Sequence, residues 1–213
     1  MADRSPGPAV PRSSTRLDRL DRLGDVAQRL LAIAVVVLGA VFVTPAAAQA
    51  TEFPDNSSRY IADSAGHAYC FNTTWDNFPE HRSRVHWAMD RLDDQTDMYD
   101  ILETCASGTD IVWSRVDLED NLRGRAVCQD FHAGSNRCNQ AAIYMDFAKI
   151  NEGSYDVEDQ QKTALHEIGH TIGLGHHSPA AHDCAMMSGQ IPSTSMTWRS
   201  FHSHDVSHIN ATY

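Results

Sequence analysis

The run His166-Glu167-Ile168-Gly169-His170-Thr171-Ile172-Gly173-Leu174-Gly175-His176 constrains the fold of this chain more than any other feature. On a helix His166 and His170 stand at i and i+4, one turn apart on one face, so their ring nitrogens reach a common point. Glu167 sits one residue further round. A straight helix would carry residue 176 past that point. The helix must therefore end near Gly173, where glycine adopts positive φ without steric cost, and the chain must swing back. Gly175 adds freedom to the same turn. Three imidazoles that leave a fourth position for water are the ligand set of a catalytic rather than a structural zinc, and a neighbouring carboxylate can take that water's proton. The expectation is a Zn²⁺ ion held by His166, His170 and His176, with Glu167 as the catalytic base. The plain alternative is a helix with solvated histidines.

Arginines up to Arg29, an apolar run from Leu30 to Val43 and the tail Thr44-Pro45-Ala46-Ala47-Ala48-Gln49-Ala50 form the order of a secretory signal peptide over 1–50, cleaved after Ala50. An uncleaved anchor is the alternative, because residues 30–51 lack charge over a length that can span a bilayer. The remaining 163 residues suffice for one domain with its own core and are short for two, so 51–213 reads as a single catalytic domain. Six of the 17 basic and four of the 28 acidic residues lie in 1–50, leaving 11 against 24 and a formal net charge of −13. That balance argues against a nucleic-acid partner. The reading is a secreted, extracellular monomer without stable membrane association.

All five cysteines lie beyond Ala50, where disulfides persist. Cys128 and Cys138 are expected to pair locally, a closure that stabilises by roughly 2 to 3 kcal/mol in the chain-entropy model. Cys70 with Cys105 is the second expected pair. It leaves Cys184 odd, although Cys184 could displace either partner or act as a zinc ligand.

Residues 51–66 are polar and turn-rich. Ala68 to Trp75 reads as a short strand, Asp110 to Leu118 as a second and Ala141 to Phe147 as a third, with Asn121 to Cys128 turning back between the last two. From Glu80 to Met98, Val85, Met89 and Leu92 recur at helical spacing opposite an Arg- and Asp-rich face, which marks an amphipathic packing helix. Its His81 and His86 read as rim residues and not as ligands. Gly153-Ser154-Tyr155-Asp156 is turn chemistry before a second helix, whose first turn carries Glu158 and Asp159 as the helix dipole favours. That helix bears the histidines, while Leu165, Ile168, Ile172 and Leu174 point to a core.

The extended histidine motif followed by Cys184-Ala185-Met186-Met187-Ser188-Gly189 resembles the metzincin clan of zinc endopeptidases, in its matrix-metalloproteinase-like and snapalysin-like branches. The second segment looks like the clan's Met-turn, with Met187 in the place of the methionine that underlies the zinc ligands. Residues 201–213 resemble the last helix of matrix-metalloproteinase-like domains. The resemblance implies that Asp205 bonds backbone near the Met-turn; His204 and His208 read as surface rather than as a metal pair. Two positions depart from the pattern: His177 follows the third ligand where matrix metalloproteinases carry serine, and His176 stands where snapalysins carry aspartate.

The fold implied is α+β, a metzincin-like zincin domain with a twisted mixed sheet, a packing helix, an active-site helix and a small irregular C-terminal subdomain ending in a helix. The implied activity is hydrolysis of peptide bonds in a protein or peptide substrate. Ala141 to Phe147 would serve as the edge strand that pairs with substrate, and Gly189 to Trp198, with Ile191 and Pro192, would wall the pocket after the cleaved bond. A zinc hydrolase of non-peptide amides or esters, and a catalytically inactive zinc-binding module, are the rival readings; the intact Glu167 argues against the second.

Overall fold

The computed structural model describes residues 61–119, 121–135, 137–178 and 183–213, so the expected signal peptide over 1–50 and the segment 51–60 lie outside the described residues. No helix among the described residues is long and apolar enough to cross a membrane.

Six strands form one mixed sheet. They are β1 (Ile61–Ala62), β2 (Gly66–Phe71), β3 (Tyr99–Leu102), β4 (Ile111–Arg115), β5 (Gly124–Phe131) and β6 (Arg137–Met145). The order β1-β6-β4-β2-β3 is parallel throughout, and β5 pairs antiparallel with β6. β4 is rich in β-branched and aromatic residues, and its Ile111 and Trp113 are fully buried. Each predicted strand is present with shifted ends. β2 stops at Phe71 because Asn72 caps a 3₁₀ turn over Thr73–Trp75, its side chain accepting from the Thr74 amide at 3.0 Å. β6 starts four residues before the predicted Ala141 and ends at Met145. The Asp146 carboxylate then accepts from the amides of Leu118 and Lys149 and caps the short helix α2 (Phe147–Ile150).

One expectation is corrected here. β6 is an interior strand with partners on both sides, whereas the outer strand on the antiparallel side is β5, which sequence reading treats as a return turn. Its residues Gly124-Arg125-Ala126-Val127-Cys128-Gln129-Asp130-Phe131 are largely exposed, so the alternation that betrays a half-buried strand is missing. Pairing with β6 and the Cys128–Cys138 disulfide hold it in place. The second expected disulfide, Cys70–Cys105, is also formed, and Cys184 is free and buried.

Helix α1 (Pro79–Gln95) begins with proline at its first position, where the missing N–H costs nothing, and buries Val85, Ala88, Met89 and Leu92. His81 stacks on Phe147 with ring centroids 3.8 Å apart, and His86 Nδ1 lies 2.6 Å from the Tyr69 hydroxyl, so both pack at the rim of the core. Helix α3 (Asp156–Thr171) carries Asp156, Glu158 and Asp159 in its first turn. Leu165, Ile168 and Ile172 are fully buried and Leu174 nearly so. Truncating Ile168 to alanine would cost about 2–5 kcal/mol, the range for a sealed aliphatic site. Helix α4 (Ser203–Thr212) closes the chain, opened by a capping box between His202 and Asp205.

His67 sits inside this core at 2 % exposure. The Thr171 hydroxyl donates to Ile168 O, so it accepts from His67 Nε2 at 2.9 Å, which leaves Nδ1 buried without a partner among the described residues. Burial holds this imidazole down at about 4 against an ordinary 6.5. Because the folded-state value is depressed, the unfolded chain binds the proton better, and stability present above pH 6.5 is lost as the pH falls towards 4. Between pH 7 and 4.5 the wild type is expected to lose about 2–3 kcal/mol more unfolding free energy than His67→Gln. Urea titrations of both proteins at the two pH values check this.

Candidate metal centre

The three histidines of the motif meet at the end of α3. His166 Nδ1 donates to the Ala185 carbonyl at 2.8 Å and His170 Nδ1 to the Leu174 carbonyl at 2.9 Å. A carbonyl can only accept, so each Nδ1 carries the proton and each Nε2 presents a lone pair. His170 Nε2 stands 3.1 Å from His166 Nε2 and 3.1 Å from His176 Nε2. Burial, followed by the neighbouring Lys162 and His170, holds His166 well below its ordinary pKa, which keeps it a neutral ligand-competent ring. Converging lone pairs repel unless they share a cation. Two nitrogens each about 2.0–2.1 Å from one tetrahedral zinc lie about 3.3 Å apart, so the donor set fits that ion.

The return of His176 depends on the helix end. Leu174 N donates to Gly169 O at 2.9 Å and Gly173 N to His170 O at 3.4 Å, with Gly173 at φ 101°. This paired C-cap requires a left-handed residue, which is why glycine stands at 173.

The turn beneath the site is equally tied. Ala185 N donates to Ser200 O at 2.8 Å, Met187 N to Cys184 O at 3.2 Å and His177 N to Met186 O at 3.1 Å. The sulfur of Met186 presses on Gly169, where a Cβ would collide with it. Met186 is thus packed against the histidine-bearing helix, and the expected Met187 is buried beside it in the same core.

Glu167 is buried against the start of β5, and a Cβ on Gly124 would lie 2.5 Å from its Oε1. Burial pushes its carboxyl up to about 8, opposed by Lys162 and by the Ala126 backbone N–H. Lys162 is 4 % exposed and donates to the carbonyls of Met187 and Gly189, the latter at 3.0 Å. Together these residues border an open cleft of about 370 Å³, lined by the three histidines, Glu167 and the start of β5. From the expected wall Gly189 to Trp198 only Gly189 lines it, joined by Ser188. Ile191 is buried instead, its amide held by Asp159 at 2.9 Å.

Behind the histidines lies a cluster that sequence reading missed. His177 Nε2 is 2.8 Å from Asp205 Oδ1, and His177 Nδ1 is 3.4 Å from Cys184 Sγ, with all three residues buried. The Asp205 hydrogen bond, then that of Cys184, raises His177 to about 10. Asp205 thus supports the turn through the His177 ring and binds the His202 amide with its other oxygen at 3.1 Å, instead of bonding the turn's backbone as expected. The departure at His177 was the visible signal. His204 and His208, set aside as surface, face each other with Nε2 atoms 3.0 Å apart on α4.

No family model matches the chain, and no curated protein matches it. Among solved structures, an archaemetzincin from Methanopyrus kandleri is similar over 72 % of this chain and 99 % of its own, at 15 % identity and a TM-score of 0.49.

Asp205 is fully enclosed beside a ring that it keeps charged. Asp205→Ala strands that imidazole without its counter-charge and is expected to lower unfolding free energy by about 3–5 kcal/mol, read by denaturant titration.

Proposed function

We propose that the protein is a secreted zinc-dependent endopeptidase that hydrolyses peptide bonds with Glu167 as general base. One observation carries the reading: a buried carboxylate adjoins three imidazoles whose Nε2 atoms converge to 3.1 Å, at the wall of an open cleft beside an outer strand. His166, His170 and His176 would hold the ion, whose chemistry is to acidify an attached water and to polarise a carbonyl.

Glu167 is placed to take the proton of the attacking water on a carboxylate oxygen and to return it to the leaving amine. Burial raises this carboxyl's affinity for a proton, the direction a proton acceptor needs. Gly124 lets the strand lie close against the Glu167 side chain, where an added Cβ would press on its carboxylate. β5, which pairs with β6 alone among the described strands, would present its other edge to an extended peptide bound as a further strand. Two disulfides support export to an oxidising compartment.

Glu167→Gln is expected to retain about one zinc per chain and to lose casein and peptide-library cleavage by at least ~100-fold, the usual contribution of a general base. Zinc analysis beside an activity assay checks both. Zinc bound by both proteins with neither cleaving any peptide would sink the reading. Gly124→Ala should lower kcat by about tenfold or more with zinc content unchanged, because the added carbon displaces the Glu167 carboxylate.

A further inference from the structure

We infer that the cleft selects substrates carrying a carboxylate close to the scissile bond, recognised by Arg123, Arg125 and Lys162; the inference rests on the peptidase reading above. The chain is acidic, with a formal net charge of −11. Yet the charged residues lining the cleft, among those described, are these three cations against Glu167 alone. Neither arginine side chain makes a hydrogen bond or close ion pair among the described residues, Asp159 is the carboxylate within electrostatic range of Arg123, and Arg123 Nε is buried without a hydrogen-bond partner. Lys162 spends two of its three protons on the carbonyls of Met187 and Gly189, which hold its ammonium at the cleft wall with one donor left.

Buried donors without acceptors are costly, and a concave wall of one charge draws the opposite charge in. A guanidinium meets a carboxylate through paired, charge-assisted hydrogen bonds. An apolar substrate residue would leave the buried Arg123 Nε unpaired, so the arrangement discriminates against it as well as favouring an acid. The carboxylate can belong to an aspartate or glutamate side chain or to a peptide's C-terminus.

The test uses quenched peptides identical except for Glu, Gln or Leu at each position flanking the cleaved bond, each made as the free acid and as the C-terminal amide. With the zinc-loaded protein, kcat/KM for the Glu peptide should exceed that for Gln by about tenfold, the discrimination of one charge-assisted pair. The advantage should shrink at high salt. A side-chain source gives the same preference in both terminal forms, whereas a terminal source gives a preference for the free acid whatever the side chain. In Arg123→Gln, Arg125→Gln or Lys162→Met the Glu-to-Gln ratio should fall towards one, a ratio that a loss of active protein leaves unmoved. Binding of the same peptides to Glu167→Gln, read by calorimetry, should give the same ranking without turnover. Equal kcat/KM for all peptides in both terminal forms would overturn the inference while leaving the peptidase reading intact. No cleavage of any peptide would overturn that reading itself.

Discussion

Two backbone carbonyls, of Ala185 and Leu174, decide what the histidines can do. By accepting the Nδ1 protons of His166 and His170 they force both Nε2 lone pairs towards one point. Each carbonyl is available only because something else holds it. Leu174 is set by the Gly173 cap, and Ala185 by its bond to Ser200 and by Met186 seated against Gly169. The Asp205–His177 pair ties the segment after His176 to the last helix, so the end of the chain helps to hold the return of His176. A site of this kind is a property of the whole lower half of the domain, not of a helix with histidines on it.

The helix, its break at Gly173 and the return of His176 were legible because each follows from local rules: i,i+4 geometry, glycine's tolerance of positive φ, and a ligand count. Both disulfides were legible for a similar reason, since sequence proximity and export narrowed the pairings. What stayed hidden depends on tertiary pairing. β5 has too much exposed polar surface to show a strand period, and β3, with Tyr99, Ile101 and Leu102 exposed, gave no alternation either. That Met186 is the one seated against Gly169 is likewise a matter of packing, since the two methionines are indistinguishable as letters. Asp205 was assigned to the correct turn but to the wrong donor, because the unusual His177 marks a departure without saying that its ring folds between the two.

The charge pattern has a related logic. In a chain of net negative charge, the cations that line the cleft would meet an acidic peptide by local contact rather than by long-range attraction, which is screened beyond a Debye length or so. Lys162 has a double part in this. Its bonds to Met187 and Gly189 fix the turn below the histidines, and its charge faces Glu167 across the cleft wall, where it opposes the rise in that carboxyl's pKa.

An outer strand that would receive one chain is also open to the wrong one, including a neighbouring copy of itself. β5 limits that exposure along its length. Its register against β6 shifts between Cys128 and Asp130 and again between Asp130 and Phe131, and the Cys128–Cys138 bridge fastens that same end. Bulges and a charged residue spoil a strand as a template for further pairing, so the far half of β5 is a poor seed for aggregation. The half beginning at Gly124, beside Glu167, keeps a regular register. The strand is thus open to company only along the stretch that borders Glu167.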